Sequence, residues 1–209
     1  RTYADNALVL MERGRFPEAQ GNISRILSLI DRMTAISRHL RSFAREPGQR
    51  LTAVNLAEVV EATREIAQLR LGAAGAVLEV TLPEDLPKVV GGPVRLQQVL
   101  VNLVTNAADA IEGLEDRRIH LAARQTAQGV RVTIRDHGPG VPAGLAERIF
   151  DPFFSTKGVG KGLGLGLSIS YNIIKDFGGN LSVDAAPGGG AEFIVDLRIA
   201  DAAAAEEAA

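Results

Sequence analysis

Apolar residues between Phe16 and Glu46 fall at Ile23, Ile26, Leu27, Ile30, Met33, Ile36, Leu40 and Phe43, spacings of three and four that trace one stripe of a helix. Arginines and polar residues fill its other side, and Pro47-Gly48 ends it. Upstream, Ala7, Leu8 and Leu10 predict the last turns of an earlier helix, with Gly14-Arg15 as the turn between the two. The pattern predicts an antiparallel helical hairpin over residues 1–47 whose narrow seam pairs with a second copy. Two core helices of one globule are the alternative.

After this break the period changes repeatedly. Asn55 and Glu58 form a capping box for a helix to about Leu71, and strands are predicted at 76–82 and 88–90. A strongly amphipathic helix runs from about Pro93 to Ile111. Alternation in RRIHLAARQTAQGVRVTIRD predicts a hairpin of two strands hinged at Gly129. A polar loop and short helix cover 138–149, and a helix from about Leu167 to Phe177 stops at Gly178-Gly179. Strands at 180–186 and 191–199 flank the turn Gly188-Gly189-Gly190, and DAAAAEEAA is a frayed tail over 201–209. The fold class is therefore α+β: a two-layer α/β sandwich over 52–200, its mixed, mostly antiparallel sheet covered by helices, preceded by the helical hairpin.

Composition removes several classes of function. No cysteine is present among the 209 residues, which excludes disulfides, thiolate metal sites and cysteine chemistry. With 23 basic and 25 acidic residues there is no basic excess to attract nucleic acid. No apolar run approaches the ~18 residues needed to span a bilayer, so no membrane contact by this segment is expected.

Thirteen of the 22 glycines lie between Gly138 and Gly190. Five alternate from Gly158 to Gly166 and run into the helix predicted near Leu167. Walker A spacing fails because Lys161 is followed by Gly162 and Ser155 stands five before Gly160; G-x-G-x-x-G fails at its third glycine. What remains is a glycine loop delivered to a helix N-terminus, whose free N–H groups and dipole suit a phosphate. A mobile surface loop is the alternative.

Three further segments bear on this choice. In RLQQVLVNLVTNAADAI, Leu96, Val99, Leu100, Leu103, Ala107 and Ile111 share one helical face, and Asn102, Asn106 and Asp109 gather on another. Asparagine is a middling helix former, but its amide oxygen can complete an octahedral Mg²⁺ shell of phosphate oxygens and water. A solvated polar face is the bland reading. In RDHGPGV a strand ends at Asp136 beside Gly138 and Gly140, where a carboxylate can accept from an exocyclic amine and absent Cβ atoms admit a flat ring. A plain turn is the alternative. FDPFFSTK places Phe150, Phe153 and Phe154 beside the glycine run as an anchor for a closing lid, with Lys157 to neutralise phosphate, or else as a small core cluster.

Taken in order, NLVTNAADA, DHGPG, FDPFFSTK and GLGLGLS resemble the N, G1, F and G2 boxes of the GHKL nucleotide-binding fold, specifically the catalytic domain of sensor histidine kinases. The resemblance covers roughly residues 52 to 200 and implies a Bergerat-type sandwich. HLRSFAR followed by TAVNLAEVVEAT is similar to the second dimerisation helix and its junction, with a flavour of the C4-dicarboxylate-type sensors.

The resemblance implies ATP and Mg²⁺ as ligands, with Asn106 on the metal and Asn102 beside metal and triphosphate. Asp136 would take the adenine amine in a pocket shaped by Gly138 and Gly140. Gly162, Leu163, Gly164, Leu165 and Gly166 would line the triphosphate, with Lys157 and Lys161 as phosphate contacts. In ATP-hydrolysing relatives the residue four before the metal asparagine is usually a glutamate; Asn102 cannot act as a base, so transfer to a nucleophile is favoured over hydrolysis.

The acceptor histidine of the family lies in an H box, and His39, His120 and His137 do not match one. It is therefore expected outside this chain. Leu163 and Ala191 stand where threonine is frequent in the family. The implied partners are a response regulator receiver domain and a second copy of the chain, on the cytoplasmic side of an inner-membrane sensor. A GHKL ATPase or anti-sigma-type serine kinase, and a non-catalytic nucleotide-responsive module, are the rival readings.

Overall fold

The computed structural model describes residues 2–27, 30, 51–142, 144–156 and 164–200. The described residues up to 30 belong to one compact unit and those from 51 onward to another. The later part of the predicted hairpin helix and the tail from 201 lie outside the described residues.

In the first unit, helix α1 (Thr2–Glu12) stops because Gly14 adopts φ 69°. Arg15 N–H then donates to Leu10 O at 2.8 Å and Gly14 N–H to Met11 O at 3.0 Å, the paired bonds of a Schellman turn. A second helical stretch follows over 16–27. It returns antiparallel, since the Arg25 guanidinium lies 5.7 Å above the Tyr3 ring. Leu8, Met11, Phe16, Ile23, Leu27 and Ile30 are all exposed on this unit.

The second unit is built on a five-stranded sheet. Its strands are β2 (Val77–Thr81), β4 (Arg118–Thr126), β5 (Gly129–Arg135), β6 (Asn180–Ala185) and β7 (Ala191–Leu197), in the order β2-β4-β5-β7-β6. β2 runs parallel to β4 and every other pair is antiparallel. Strands β1 (Thr52–Val54) and β3 (Val89–Gly91) form a separate antiparallel pair. Ile199 is tied to Val89 by a single bridge rather than extending β7 to 199.

Alternation decides which face of the sheet is covered. Ile119 and Leu121 of β4, Val130, Val132 and Ile134 of β5, and Phe193 and Val195 of β7 are buried, whereas Arg131 and Asp196 pair across the other face at 2.7 Å. Helices α2 (Leu56–Ala74), α3 (Pro93–Ile111) and α4 (Gly166–Asp176) supply the covering layer. In α3, Pro93 at the first turn needs no hydrogen-bond partner, and Leu96, Val99, Leu100, Leu103, Val104, Ala107, Ala108 and Ile111 are buried. Burying such side chains contributes about 1.5–3 kcal/mol each for the larger ones, which outweighs the two asparagines on the same helix.

Helix ends follow local chemistry, with three departures from the sequence reading. Asn55 caps α2 by accepting from Ala57 N–H at 3.0 Å, but Glu58 accepts from the Asn55 side-chain amide rather than closing a capping box on its backbone. α2 also continues past Leu71 to Ala74, because the stop signal is Gly75 at φ 64°. The short helix predicted within 138–149 is a single 3₁₀ turn at Arg148–Phe150.

Candidate functional site

α3 carries the site along one of its ridges. Asn102, Asn106 and Ala110 follow at intervals of four, so they stack on one face over about 12 Å of helix. Each meets a different part of the molecule. Asn102 lies against the start of α4, where a Cβ at Gly166 would overlap its Oδ1. Its Nδ2 donates to Ser170 Oγ at 2.9 Å, and its Oδ1 accepts from Asn106 Nδ2 at 3.4 Å. At the far end, a Cβ on Gly138 would stand 3.0 Å from the Ala110 methyl and 2.9 Å from Asp136 Oδ1. Both glycines are therefore required by the same helix.

Asp109 leaves this ridge. It pairs with Arg70 of α2 at 2.5 Å, and the same guanidinium reaches Glu112 at 2.6 Å. A wheel at 100° per residue groups Asp109 with the asparagines, but the approach of α2 claims that side chain for helix-to-helix pairing.

Asp136 is buried, with 2% of its surface exposed. Its Oδ1 accepts from Gly138 N–H at 2.8 Å and Ala191 N–H at 3.2 Å, and its own N–H donates to Ala191 O at 3.0 Å. Desolvation pushes its carboxyl above the ordinary carboxylate range; the two N–H donors and nearby His137 pull the other way without cancelling it. The turn beyond closes on glycines that no other residue could replace. Gly140 has φ 73°, and a Cβ there would lie 2.8 Å from Gly190 O. The His137 ring is directed to β4, with Nδ1 3.1 Å from Arg118 O and an edge contact to His120 at 5.3 Å.

The start of α4 has neither a side-chain cap nor an acidic residue in its first turn. Leu165 stands at the cap position; its carbonyl accepts from Ser168 Oγ at 2.9 Å and Ile169 N–H at 3.1 Å. Among the described residues no side chain caps the N–H groups of this first turn, an arrangement suited to an anion. Gly164 at φ 65° packs on the Phe153–Phe154 peptide, with Phe153 C only 2.6 Å from where a Cβ would be.

The three phenylalanines do not form one cluster. Phe150 tilts against Tyr171 of α4 at 5.3 Å, Arg148 lies 5.1 Å over Phe154, and Phe153 is 69% exposed at φ 67°. Tyr171 fastens the segment to α4.

Among the described residues the structure thus links Asn102, Asn106, Gly166 and Ser170 at one end of the α3 ridge and Asp136, Gly138, Gly140, Gly190 and Ala191 at the other. Lys157, Lys161, Gly162 and Leu163 lie outside the described residues. Sequence reasoning missed Ser170, although a buried serine among Ile169, Ile173 and Ile174 is a polar residue on an apolar face and could have flagged it. Ala110 and Gly190 act through shape alone and carry no such signal.

A group reaching both Asp136 and the first turn of α4 needs a hydrogen-bond donor at one end and negative charge at the other. The donor set fits an adenine nucleotide, and the Asn102 and Asn106 amide oxygens fit a hard cation between.

The family described as histidine kinase-, DNA gyrase B-, and HSP90-like ATPase matches residues 91–201. The C4-dicarboxylate transport sensor protein DctB of Rhizobium meliloti (strain 1021) is 38% identical over 198 residues, covering 95% of this chain and 31% of that protein. The chain therefore spans about a third of the length of the curated relatives it matches. The solved catalytic domain of histidine kinase ThkA superposes with a TM-score of 0.62 at 31% identity, covering 71% of this chain and 97% of that one. Histidine kinase ThkA in complex with response regulator protein TrrA gives 0.69 at 26% identity, over 85% and 50% of the respective chains.

Proposed function

Because this chain belongs to the family of histidine kinase-, DNA gyrase B- and HSP90-like ATPases, we propose that it is the ATP-binding core of a two-component sensor histidine kinase. The observation that carries this reading is the Asn102–Asn106–Ala110 ridge, which joins the uncapped start of α4 to the buried Asp136.

In this reading Asp136 accepts from the adenine amine, while Gly138 and Gly140, packed against Ala110 and Gly190, shape the pocket around that carboxylate. The first-turn N–H groups of α4, from Gly166 onward, bind the phosphates, with Gly162, Leu163, Gly164 and Leu165 leading into them and Lys157 and Lys161 adding charge. Asn106, and Asn102 beside it, would hold Mg²⁺, which when bound neutralises phosphate charge. Asn102 is an amide and cannot take a proton from water, so the site favours transfer to an already nucleophilic imidazole over hydrolysis. The site's contribution is then orientation and charge neutralisation.

The acceptor is a histidine outside this chain. His120 and His137 are engaged with Glu79 and Arg118, and His39 lies outside the described residues. The exposed apolar residues of the first unit suit pairing with a second copy, and the likeness to a kinase solved with its response regulator supports a receiver domain as the downstream partner. Identity to C4-dicarboxylate transport sensors supports that subtype. Among the described residues no helix is long and apolar enough to cross a membrane.

Calorimetry with Mg-ATP on the wild-type chain, Asp136→Asn and Asn106→Ala tests binding, with loss expected in both variants. Labelled Mg-ATP added with a helical hairpin bearing an H-box histidine tests transfer. Binding that ignores both substitutions would overturn the proposal; phosphate release without any acceptor, abolished by Asn102→Ala, would favour the ATPase reading.

A further inference from the structure

We infer that Arg135 is a positioning residue for the base end of the cleft: by clamping the Pro187–Gly190 turn it holds the Ala191 N–H on the Asp136 carboxylate, and so sets selection for a ring bearing an exocyclic amine. The inference rests on Asp136 being the base-binding carboxylate.

The turn needs an external tie. Gly188, Gly189 and Gly190 take φ of 84°, 106° and 93°, three successive residues in a region where glycine is at home and where ordering costs the most backbone freedom. Inside the turn, Gly189 N–H donates to Ala186 O at 3.0 Å and Ala186 N–H to Gly190 O at 3.1 Å. Among the described residues, the one side-chain hydrogen bond that it receives comes from Arg135 Nη2 to the Pro187 carbonyl.

Arg135 makes this contact at the expense of others. Its cross-strand neighbours are His120 on β4 and Glu192 on β7, and among the described residues no ion pair joins it to Glu192. Its Nε is buried without a hydrogen-bond partner. A buried donor left orphaned carries a desolvation cost, and such groups in a folded protein call for a functional account.

What the clamp controls is the frame around Asp136. Ala191 both donates to Oδ1 and accepts from the Asp136 N–H, so it aims the carboxylate and the peptide together. Gly190 packs on the Asp136 carbonyl too closely for any Cβ, and Gly140 packs in turn on Gly190 O. If the turn drifts, Oδ1 keeps only the Gly138 N–H and both glycine walls move with it.

The test is a titration of the chain with Mg-ATP and with Mg-inosine triphosphate, which presents a carbonyl oxygen where ATP presents the amine. The wild type should prefer ATP. Arg135→Met keeps the aliphatic stem and removes the donors; it should bind ATP about tenfold more weakly, with little change for inosine triphosphate, and its Ala191 amide should exchange faster in D₂O. Arg135→Lys, which still offers a donor to Pro187, should restore most of the preference. Should Arg135→Met not fold, Arg135→Gln, whose amide stops short of the Pro187 carbonyl, gives the same readout. A variant lacking the clamp yet keeping the wild-type ATP preference would overturn the role of Arg135 alone. A wild type with no preference for ATP would overturn the base-binding role of Asp136 and this inference with it.

Discussion

Gly166 and Asn102 interlock: the first residue of α4 presses on the α3 amide so closely that a Cβ would fall on Oδ1. That amide is held from two further directions, by Ser170 and Asn106, so it cannot give way without losing both bonds.

Gly166→Ala should therefore separate stability from binding. Its backbone is not left-handed, so alanine gains about 0.4–1 kcal/mol through the unfolded chain, offsetting part of the crowding. The melting midpoint should stay within about 4 °C of wild type. Mg-ATP affinity, read by calorimetry, should fall about tenfold or more as the Asn102 amide swings out.

Asp136→Asn should bind ATP weakly yet leave the ligand-free fold as stable as wild type, or more so, at neutral pH. The Asp136 carboxyl is raised in the folded state, so its contribution to stability is full below the ordinary carboxylate range and is lost as pH rises through the folded value. Melting curves against pH should show the wild type gaining on the variant as pH falls through that window. ATP binding by the wild type should weaken over the same interval, because only the ionised carboxylate is a strong acceptor.

Phe177 is 1% exposed at the end of α4, its ring edge 3.2 Å from where a Cβ on Gly91 would stand and 5.2 Å beneath the Arg95 guanidinium. Phe177→Ala should cost about 3–5 kcal/mol. Thermal denaturation should show a fall of about 10 °C or more, without altered ATP affinity in the fraction still folded.

Arg70→Ala removes the link from α2 to Asp109 and Glu112. The ions are partly solvated, so the loss should be about 1 kcal/mol and should shrink in high salt, which urea unfolding at two ionic strengths would read. A loss of several kcal/mol, or one indifferent to salt, would contradict this account.

Local chemistry made much of this molecule legible in its sequence. The bounds of α3 follow from Pro93 and an unbroken 3.6-residue period, and α4 and the β4–β5 hairpin follow from glycine punctuation. Asn102, Asn106 and Asp136 stand out because each is polar where the pattern asks for something else. Long-range partners had no such mark. Ala191 is 55 residues from the carboxylate it orients, Pro187 is 52 from Arg135, and Arg70 is 39 from Asp109. Nor did any pattern within β2 say that it would lie parallel to β4. Those relationships belong to packing, where side-chain reach and sheet order decide together.

β5 carries Asp136 just beyond one end and turns into β4 through Ala127-Gln128 at the other. Asp136 stands seven steps of extended chain beyond Gly129, about 23 Å. A fluorophore or affinity tag inserted at that hairpin would thus ride on the same rigid strand as the cleft while staying clear of it, giving a reporter of occupancy that need not touch what it reports.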